Sequence, residues 1–461
     1  MAEFRYRTWL AFPAREVFEW HARPSVPERL TPPWQQLHVV ERRGDIEGEG
    51  RSVMEIGIGL RRVRWVTRVS GYVRGREFRE TQVTGPFREW THTHSFIPDG
   101  SDASYLEDRV KYEPPFGTMG RQLGEYLVHR NLERVFRHRH RVLRDDLERH
   151  SRSRGEGLQR ILISGASGLV GRCLAAFLSS GGYHVVRLVR GAADPKSEDQ
   201  IPWDPPSGTL DPTALEGVDA VIHLAGANIS EGRWNLRRKR LILESRVQGT
   251  QVLGRALSRM QVPPRVLISA SAIGYYGDRG NAWTDESTES GSGFLSEVCR
   301  AWEASTELAH DRGVRVVHLR IGVVLSARGG ALAKMLTPFS VGLGGVVGSG
   351  DQYMSWIALE DLIGAIHHLM FADSVSGPVN AVAPQPVTNH EFTKTLGSVL
   401  GRPTIVPLPA KVARIVFGEL GEALLLGSAR VSPSVLERSG FCFFYPSLRS
   451  TLSTELGKGY D

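Results

Sequence analysis

The sequence has few cysteines and no long apolar run, and each absence limits what the protein can be. Among 461 residues there are three cysteines, which are widely scattered and show neither metal-ligand spacing nor a disulfide framework. No run of about 18 apolar residues occurs, so no membrane-spanning helix is expected. The first residues, M-A-E-F-R-Y-R, lack the apolar core of a secretory signal. We therefore expect a cytoplasmic protein with free thiols.

The chain also lacks a large excess of charge of either sign. The formal net charge is +7, and arginine greatly outnumbers lysine. In the most basic stretch, R-N-L-E-R-V-F-R-H-R-H-R-V-L-R-D-D-L-E-R, acidic residues are interspersed with the basic ones. A solvated helix of mixed charge explains such a run, so we expect no nucleic-acid partner.

The length of the chain and one polar segment predict several domains. A chain of 461 residues is too long for one ordinary domain. The stretch H-S-R-S-R-G-E-G-L-Q-R has no hydrophobic periodicity and is interpreted as a linker. We predict a first domain over 1–150, a linker over 151–159 and a second, larger part that begins at residue 160.

Before the linker, short alternating segments predict β-strands and a longer periodic segment predicts a helix. The helix is expected over about 119–148, where apolar residues recur near helical spacing. Strands followed by one long helix favour an α+β domain in which the helix lies against an antiparallel sheet. The predicted strands are Phe4–Phe12, Gln36–Val40, Arg51–Ile58, Arg64–Val73, Phe78–Val83 and Thr91–Phe96.

Three stretches of this part carry a family resemblance: A-F-P-A-R-E-V-F-E-W-H, L-T-P-P-W and G-P-F-R-E-W-T-H-T-H-S-F. The region over 1–150 resembles the helix-grip superfamily of polyketide-cyclase and lipid-transfer-like domains. The resemblance implies an apolar ligand held between sheet and helix. Trp34, Trp65 and Trp90 either line such a cavity or form the core of the sheet, and we favour the core.

Two histidines of this region raise the question of a metal ion. His92 and His94 point to the same face of a predicted strand, as two ligands of one ion would. No third ligand is near them in the sequence, so we favour histidines held by hydrogen bonds. We predict no metal site.

After the linker the pattern changes to alternating strands and helices. Apolar strands such as R-I-L-I-S and D-A-V-I-H-L-A-G, separated by helices, predict a parallel sheet covered on both faces. The first strand runs into G-A-S-G-L-V-G, which opens a helix. In that context the glycines allow a tight turn, close approach of the backbone to a pyrophosphate and close packing of helix on strand. We therefore predict a dinucleotide-binding turn.

The end of the second strand predicts which dinucleotide binds. An acidic residue there would hydrogen-bond an unmodified ribose and repel a 2′-phosphate. This chain has Arg190 instead, and a guanidinium can pair with that phosphate in a bidentate way. NADP is therefore favoured over NAD, and an exposed strand-end arginine without a ligand is the alternative.

Further strings widen this match: S-G-A-S-G-L-V-G, H-L-A-G-A-N-I, E-S-R-V-Q-G-T and S-A-S-A-I-G-Y-Y-G. From about 159 to 455 the sequence resembles the extended, epimerase-like branch of the short-chain dehydrogenase/reductase superfamily, and within it the atypical epimerase family proteins described as NADP-dependent oxidoreductases. The resemblance implies a Rossmann-like α/β fold with a doubly wound parallel sheet over 160–404, followed by a small C-terminal substrate-side domain over 405–455. It implies cofactor contacts, with sheet-end packing as the alternative for the strand-end residues, from Gly165, Ser167, Gly168, Leu169, Val170, Gly171, Arg190, Leu224, Ala225, Gly226, Arg246 and Val324.

The stretch I-S-A-S-A-I-G-Y-Y-G is where this resemblance places catalytic residues, namely Ser271 with Tyr275 or Tyr276. Most members activate a tyrosine with a lysine four residues later on a helix, because the ammonium lowers the phenol pKa. In the matching helix, F-L-S-E-V-C-R-A-W-E, these positions carry Leu295 and Cys299. Neither residue can do that chemistry, and packing around the turn is the alternative for the two tyrosines.

Two loops carry candidate substrate contacts. One follows L-A-G, and the other is the glycine-rich stretch G-L-G-G-V-V-G-S-G-D-Q-Y-M-S-W-I. Loops at the carboxyl ends of parallel strands bind ligands in doubly wound sheets. Anchoring of the loop is the alternative for the last two of the candidates, which are Asn228, Arg233, Trp234, Gln352, Trp356 and Asp361.

Two functions of different classes stay open at this point. The first is an NADP-dependent oxidoreductase or nucleotide-sugar-epimerase-like enzyme, which acts on a small-molecule substrate and lacks the usual Tyr-x-x-x-Lys pair. The second is a catalytically inactive NADP-binding regulator or scaffold with a lipid- or polyketide-binding N-terminal domain. The glycine turn and the long substrate-side loop favour the first, and the missing pair favours the second. A third reading makes the helix-grip domain the working part, a lipid or polyketide binder with the nucleotide-binding domain as a sensor. A homodimer is left open for each reading.

Overall fold

The computed structural model describes the chain except for residues 36, 45, 49, 59–60, 115–120, 154, 156, 195–196, 198 and 459–461, and it leaves the side chains of 58 and 121–123 undescribed. Gln36 of a predicted strand, 119–120 of the predicted helix and 154 and 156 of the predicted linker thus lie outside the described residues. The chain divides into two compact units. Unit 1 is Met1–Arg154 with Ala176–Gly182, and unit 2 is Gly155–Ala175 with Tyr183–Asp461.

The strands of unit 1 alternate buried and exposed residues, so each gives the sheet one inward-facing side. They are β1 (Ala2–Leu10), β2 (Leu37–Arg43), β3 (Arg51–Ile58), β4 (Arg61–Val73), β5 (Glu77–Thr84), β6 (Glu89–Pro98) and β7 (Ser104–Glu113). They form one antiparallel sheet in the order β1-β7-β6-β5-β4-β3-β2. The sequence did not predict β7, because charged residues such as Asp108 are buried on its inner side and hide the alternation.

Three helices accompany this sheet: α1 (Ala14–Ala22), α2 (Val26–Arg29) and α3 (Arg121–Ser151). The apolar stripe of α3 supplies Val142 and Leu143 to a core that includes Phe18 of α1 and Phe96 of β6. Buried apolar area is what holds a helix on a sheet in this way. Trp90 belongs to a second cluster of this core, as predicted, and Trp65 packs against it.

The strands of unit 2 are β8 (Arg160–Ser164), β9 (His184–Arg190), β10 (Gln200–Trp203), β11 (Ala220–His223), β12 (Val266–Ala272), β13 (Trp283–Thr284), β14 (Arg315–Ile321), β15 (Val323–Leu325), β16 (Tyr353–Met354), β17 (Trp356–Ala358), β18 (Gly377–Ala381), β19 (Val387–Thr388) and β20 (Arg430–Val431). Seven of them form a parallel sheet in the order β10-β9-β8-β11-β12-β14-β18. The chain leaves β8 for β9 on one side and returns to β11 on the other. This reversal is where doubly wound sheets bind ligands.

Helices connect these strands: α4 (Leu169–Gly181), α5 (Leu236–Ser258), α6 (Phe294–Ala304), α7 (Glu307–Asp311), α8 (Gly330–Ser340), α9 (Leu359–Phe371), α10 (Asn389–Leu400), α11 (Ala410–Phe417), α12 (Glu419–Gly421), α13 (Ser434–Arg438) and α14 (Leu448–Glu455). The 3₁₀ turns Pro212–Leu215 and Ile273–Tyr276 and the π-helical turn Glu422–Leu426 complete the unit. The parallel sheet with its connecting helices is the predicted Rossmann-like fold.

Candidate functional site

The turn between β8 and α4 is closed so tightly that two of its glycines have no room for a side chain. Gly165 has a φ of +70°, and a Cβ there would lie 2.8 Å from the carbonyl carbon of Leu224. A Cβ on Gly171 would lie 2.3 Å from the carbonyl oxygen of Gly165. The turn is therefore packed between the segment that follows β11 and the start of α4. This cradle of bare backbone, with the unpaired N–H groups that begin a helix, fits a pyrophosphate.

A buried polar chain supports the cradle from below. The Ser164 hydroxyl lies 2.7 Å from Nδ1 of His223, whose Nε2 lies 3.0 Å from Oγ1 of Thr250. The backbone N–H groups of Leu224 and Ala225 donate to the same serine oxygen, at 3.1 and 3.3 Å. Burial lowers the pKa of His223 to about 4, so the ring is neutral near pH 7. His223 was not among the predicted site residues, although a histidine that ends an apolar strand is a signal for such a buried polar contact.

The structure brings most of the predicted cofactor residues to this edge of the sheet. A Cβ on Gly330 would lie 3.6 Å from the side chain of Leu169 and 3.7 Å from the carbonyl oxygen of Val324, so these two candidates lie near each other. Arg190 is exposed at the end of β9. Of the four predicted cofactor contacts from 167 to 170, Ser167 and Gly168 are exposed, whereas Leu169 and Val170 are half-buried.

Arg246 holds the loop that follows β11. Its Nη1 donates to the carbonyl oxygens of Ala227 and Ile242, both at 3.1 Å, and its guanidinium lies 4.9 Å from the ring centre of Trp302. A Cβ on Gly226 would lie 3.2 Å from Cζ of Arg246. Burial lowers the pKa of Arg246 to about 10, which still leaves it charged near pH 7.

The predicted catalytic stretch lies in a buried ionic network at the end of β12. Ser271 donates to Oε1 of Glu303 at 2.7 Å, and Arg320 makes two bonds of 2.9 Å to the Glu303 carboxylate. Nη1 of Arg320 donates to the Tyr276 hydroxyl at 3.0 Å, and this hydroxyl donates to Oδ1 of Asn380 at 2.8 Å. Tight burial and full pairing make the network rigid.

Arg320 and Asn380 of this network were not among the predicted site residues. The signal that could have found Arg320 is a charged residue near the end of an apolar strand, because a buried guanidinium needs a carboxylate partner.

The two tyrosines of this stretch differ in exposure and in bonding. Tyr276 is fully buried, and burial raises its pKa to about 12 despite the opposing charge of Arg320. Tyr275 is half-buried, with its ring centre 3.5 Å from Cζ of Arg320. Its hydroxyl makes no hydrogen bond to any residue that the structure describes. Of the three predicted catalytic side chains, Tyr275 therefore has the only hydroxyl that is not already engaged.

The positions that replace the usual tyrosine and lysine are inert in this structure. A Cβ on Gly274 would lie 3.1 Å from the Cβ of Leu295, so this leucine packs against the turn. The thiol of Cys299 points at the carbonyl oxygen of Ala272, 3.6 Å away, and burial raises its pKa to about 11. It is a neutral thiol near pH 7 and supplies no positive charge.

Several predicted substrate residues make the contacts of loop anchors. Trp356 is fully buried and donates to the carbonyl oxygen of Gln385 at 3.0 Å, and Asp361 accepts the N–H groups of residues 444 and 445 at 2.9 Å. Nε2 of Gln352 donates to two backbone carbonyls, at 3.0 and 2.9 Å. These contacts support the loop-anchoring alternative for Trp356 and Asp361. Substrate contact by any of the three stays a prediction.

The other three predicted substrate residues lie in the loop after β11. Trp234 is buried and donates to the carbonyl oxygen of Ile229 at 2.8 Å. Arg233 is exposed and reaches the carbonyl oxygen of Ile415 at 2.9 Å. The side-chain oxygen of Asn228 accepts two bonds from Ser230 in a local turn. Asn228 and Arg233 are thus the two candidates that present polar surface to solvent.

Family models match three parts of the chain. The model described as NAD dependent epimerase/dehydratase family matches residues 161–381. Two domains of unknown function, DUF1731 and DUF8410, match residues 408–455 and 66–147. In the part of the chain that the structure describes, no helix combines the length and the apolar character needed to cross a bilayer.

Known proteins of similar sequence and structure identify the family. A crystal structure of the nucleoside-diphosphate sugar epimerase from Corynebacterium glutamicum is 33% identical and covers 98% of this chain and 90% of its own, with a TM-score of 0.81. The human epimerase family protein SDR39U1, solved with NADPH, is 35% identical over 65% of this chain and 99% of its own, with a TM-score of 0.60. Epimerase family protein Mb2239 of Mycobacterium bovis is 44% identical over 292 residues, 63% of this chain and 96% of its own length. The chain therefore belongs to the NAD(P)-binding epimerase family, with SDR39U1-like relatives.

Proposed function

We propose that the protein is an NADP-binding oxidoreductase or nucleotide-sugar-epimerase-like enzyme that works without a Tyr-x-x-x-Lys pair. The observation that carries this proposal is the glycine cradle, where Gly165 and Gly171 leave bare backbone at the switch point of the sheet. A glycine turn that served only to connect strand and helix would not need to be open to solvent on one side. The exposed residues Ser167 and Gly168 lie on that side.

NADP is the proposed cofactor because of Arg190. Its guanidinium stands exposed at the end of β9, where doubly wound folds select the adenosine ribose. The human relative SDR39U1 was solved with NADPH, which supports the same choice. When bound, NADP would accept or donate a hydride. The residues of this chain would hold it by the backbone of the glycine turn and by Arg190.

Proton transfer is assigned to Tyr275 for a chemical reason. Ser271 already donates its one proton to Glu303, and the Tyr276 hydroxyl lies between Arg320 and Asn380. Tyr275 keeps a free hydroxyl, and the guanidinium of Arg320 lies 3.5 Å from the centre of its ring. Arg320 is thus a positively charged group beside this tyrosine, although a guanidinium does not exchange protons near neutral pH.

The test combines cofactor binding with turnover by purified full-length protein. Calorimetry should detect NADP binding, with tighter binding than NAD, and Arg190→Ala should remove the preference. Turnover against a panel of carbonyl compounds and sugar nucleotides should then fall about 10²-fold or more in Tyr275→Phe with NADP affinity kept. The exposed Tyr126 gives the matched control, and Tyr126→Phe should change neither quantity. Absence of NADP affinity in the wild type would overturn the proposal.

The second candidate is an NADP-binding regulator without turnover. The observation that favours it is the inert pair Leu295 and Cys299 at the positions of the usual tyrosine and lysine. NADP binding together with no turnover of any compound in the panel would favour this reading over the enzyme.

For unit 1 we propose a helix-grip ligand-binding domain, as its sequence resemblance implies. The long helix α3 against an antiparallel sheet supports this, because family members hold apolar ligands between these two layers. Mass spectrometry of the purified protein under native conditions should find a co-purified lipid or polyketide, and its absence after exposure to a lipid extract would contradict the proposal.

A further inference from the structure

The inner face of the unit 1 sheet carries a buried group of imidazoles and carboxylates that the proposed enzyme function does not use. His92 and His94 lie on β6, with Asp108 of β7 directly opposite His94 in the register. Glu80 of β5 lies opposite His92. His140 approaches from α3. All but the half-buried Glu80 are at most 8% exposed.

Asp108 is the centre of this group. Its Oδ1 lies 2.7 Å from Nε2 of His92 and 2.7 Å from Nδ1 of His94, and its Oδ2 lies 2.6 Å from Nε2 of His140. The other nitrogen of His140 is 2.8 Å from the hydroxyl of Thr8. Both nitrogens of His140 are thus engaged, which fixes that ring and, through it, the carboxylate.

His94 is placed differently from the other two rings. Its Nδ1 lies 2.7 Å from Oδ1 of Asp108, in a direction that is poor for a hydrogen bond. Asp108 therefore contacts all three rings and holds their orientation.

A carboxylate completes the set. One ligand atom from each of Glu80, His92 and His94 lies within 4.8 Å of the other two, as donors around a single ion do. Two imidazoles with a carboxylate suit a divalent first-row transition metal, whereas Mg²⁺ and Ca²⁺ prefer oxygen donors alone. We propose that Glu80, His92 and His94 bind such an ion, with Asp108 orienting the two imidazoles.

The charge around the group agrees with a bound cation. Two carboxylates, Glu80 and Asp108, face one guanidinium, Arg139, which interacts electrostatically with both. Among these three charged groups the carboxylates are in excess by one negative charge, which favours a cation beside them.

The experiment measures metal binding by the purified full chain after chelator treatment. Co²⁺ is the probe, because its visible absorption reports both stoichiometry and nitrogen coordination, and Zn²⁺ competition follows. The wild type is expected to bind one equivalent. His92→Gln, His94→Gln and Glu80→Gln should each weaken binding about 10²-fold or more, and Asp108→Asn about 10- to 100-fold, as for residues that orient ligands.

Two controls make the result decisive. His38→Gln, an exposed histidine on β2 of the same sheet, should leave Co²⁺ binding unchanged. Circular dichroism and thermal unfolding must show that each variant is folded, and the half-buried Glu80→Gln is the variant least prone to unfold. Binding below one equivalent in the wild type would overturn the proposal and leave Asp108 as the acceptor of metal-free histidines. Equal affinity in folded Glu80→Gln and His38→Gln would overturn it as well.

Discussion

At the scale of single residues, Gly171 shows how the cradle depends on a missing side chain. A Cβ at this position would lie 2.3 Å from the carbonyl oxygen of Gly165 and 2.8 Å from Cα of Ala166. We predict that Gly171→Ala lowers the free energy of unfolding by about 1–3 kcal/mol, because the helix must move away from the turn. NADP binding should weaken with it. Denaturant unfolding and calorimetry measure the two effects.

Gly254 is the matched control, because it too lies within a helix. A Cβ there would meet only ordinary contacts, the nearest 3.7 Å away. Alanine is favoured over glycine inside a helix by about 1 kcal/mol, so Gly254→Ala should leave stability unchanged or raise it. Equal losses of stability in the two variants would contradict the packing argument.

The contrast between Gly165 and His223 explains which site residues the sequence predicts. Glycines in a strand–turn–helix context can be recognised from the sequence, because the backbone conformation that they permit is a local property. His223 takes its neutral state from burial between Ser164 and Thr250, which are 59 and 27 residues away in the chain. This protonation state depends on tertiary contacts, so it cannot be predicted from the local sequence pattern.

At the scale of elements, the pair of Arg320 and Glu303 joins β14 to the end of α6. Both nitrogen–oxygen bonds are 2.9 Å, and the two side chains are 4% and 11% exposed. We predict that Glu303→Ala lowers the free energy of unfolding by about 3–5 kcal/mol, because it leaves a buried guanidinium without its partner. The double variant with Arg320→Met should lose less than the sum of the single losses. Denaturant unfolding of the four proteins gives the coupling.

A surface pair on α5 provides the comparison. Arg240 and Glu244 are 2.7 Å apart, and their side chains are 78% and 39% exposed. Water and salt screen such a pair, so its coupling should be far smaller than that of the buried pair. If the two pairs gave the same coupling, burial of the ion pair would not be what stabilises this junction.

A buried charge also limited which secondary-structure elements could be predicted from the sequence. The helix predicted over about 119–148 corresponds to α3, Arg121–Ser151, and the strand predicted over Arg51–Ile58 is β3. Periodicity of apolar residues carries that information. β7 was missed because Asp108 faces inward among histidines, so the strand lacks the apolar alternation that a sheet with a purely hydrophobic core would show.

At the scale of the whole molecule, the sheet of unit 2 was predictable and the ionic network was not. Each parallel strand is apolar along its length because both faces are covered, which is a statement about local composition. The network joins Ser271 to Asn380 through residues of three other segments. Only the order of strands in the sheet brings those segments together, and no single window of sequence contains them.

Stability against acid is also a property of the whole molecule. Two buried groups of unit 2 have opposite effects on how the free energy of unfolding changes as the pH falls. His223 has its pKa lowered by burial from 6.5 to about 4, so between these values only the unfolded chain is protonated and acid destabilises the fold. Burial raises the pKa of Glu455 from 4.5 to about 7, so between these values the folded chain holds the extra proton and acid stabilises it. The two contributions should nearly cancel between pH 7.5 and 5.

Single variants should therefore move the pH dependence in opposite directions. Between pH 7.5 and 5, Glu455→Gln should lose about 2 kcal/mol more unfolding free energy than the wild type, because His223 then acts unopposed. His223→Asn should lose about 2 kcal/mol less, since only the stabilising protonation of Glu455 is left. Denaturant unfolding at the two pH values measures each difference, and the contributions of all other groups cancel between variants. Identical pH dependence in the three proteins would mean that neither group keeps a shifted pKa in the fold, because a buried group that titrates as it does in the unfolded chain contributes no linkage.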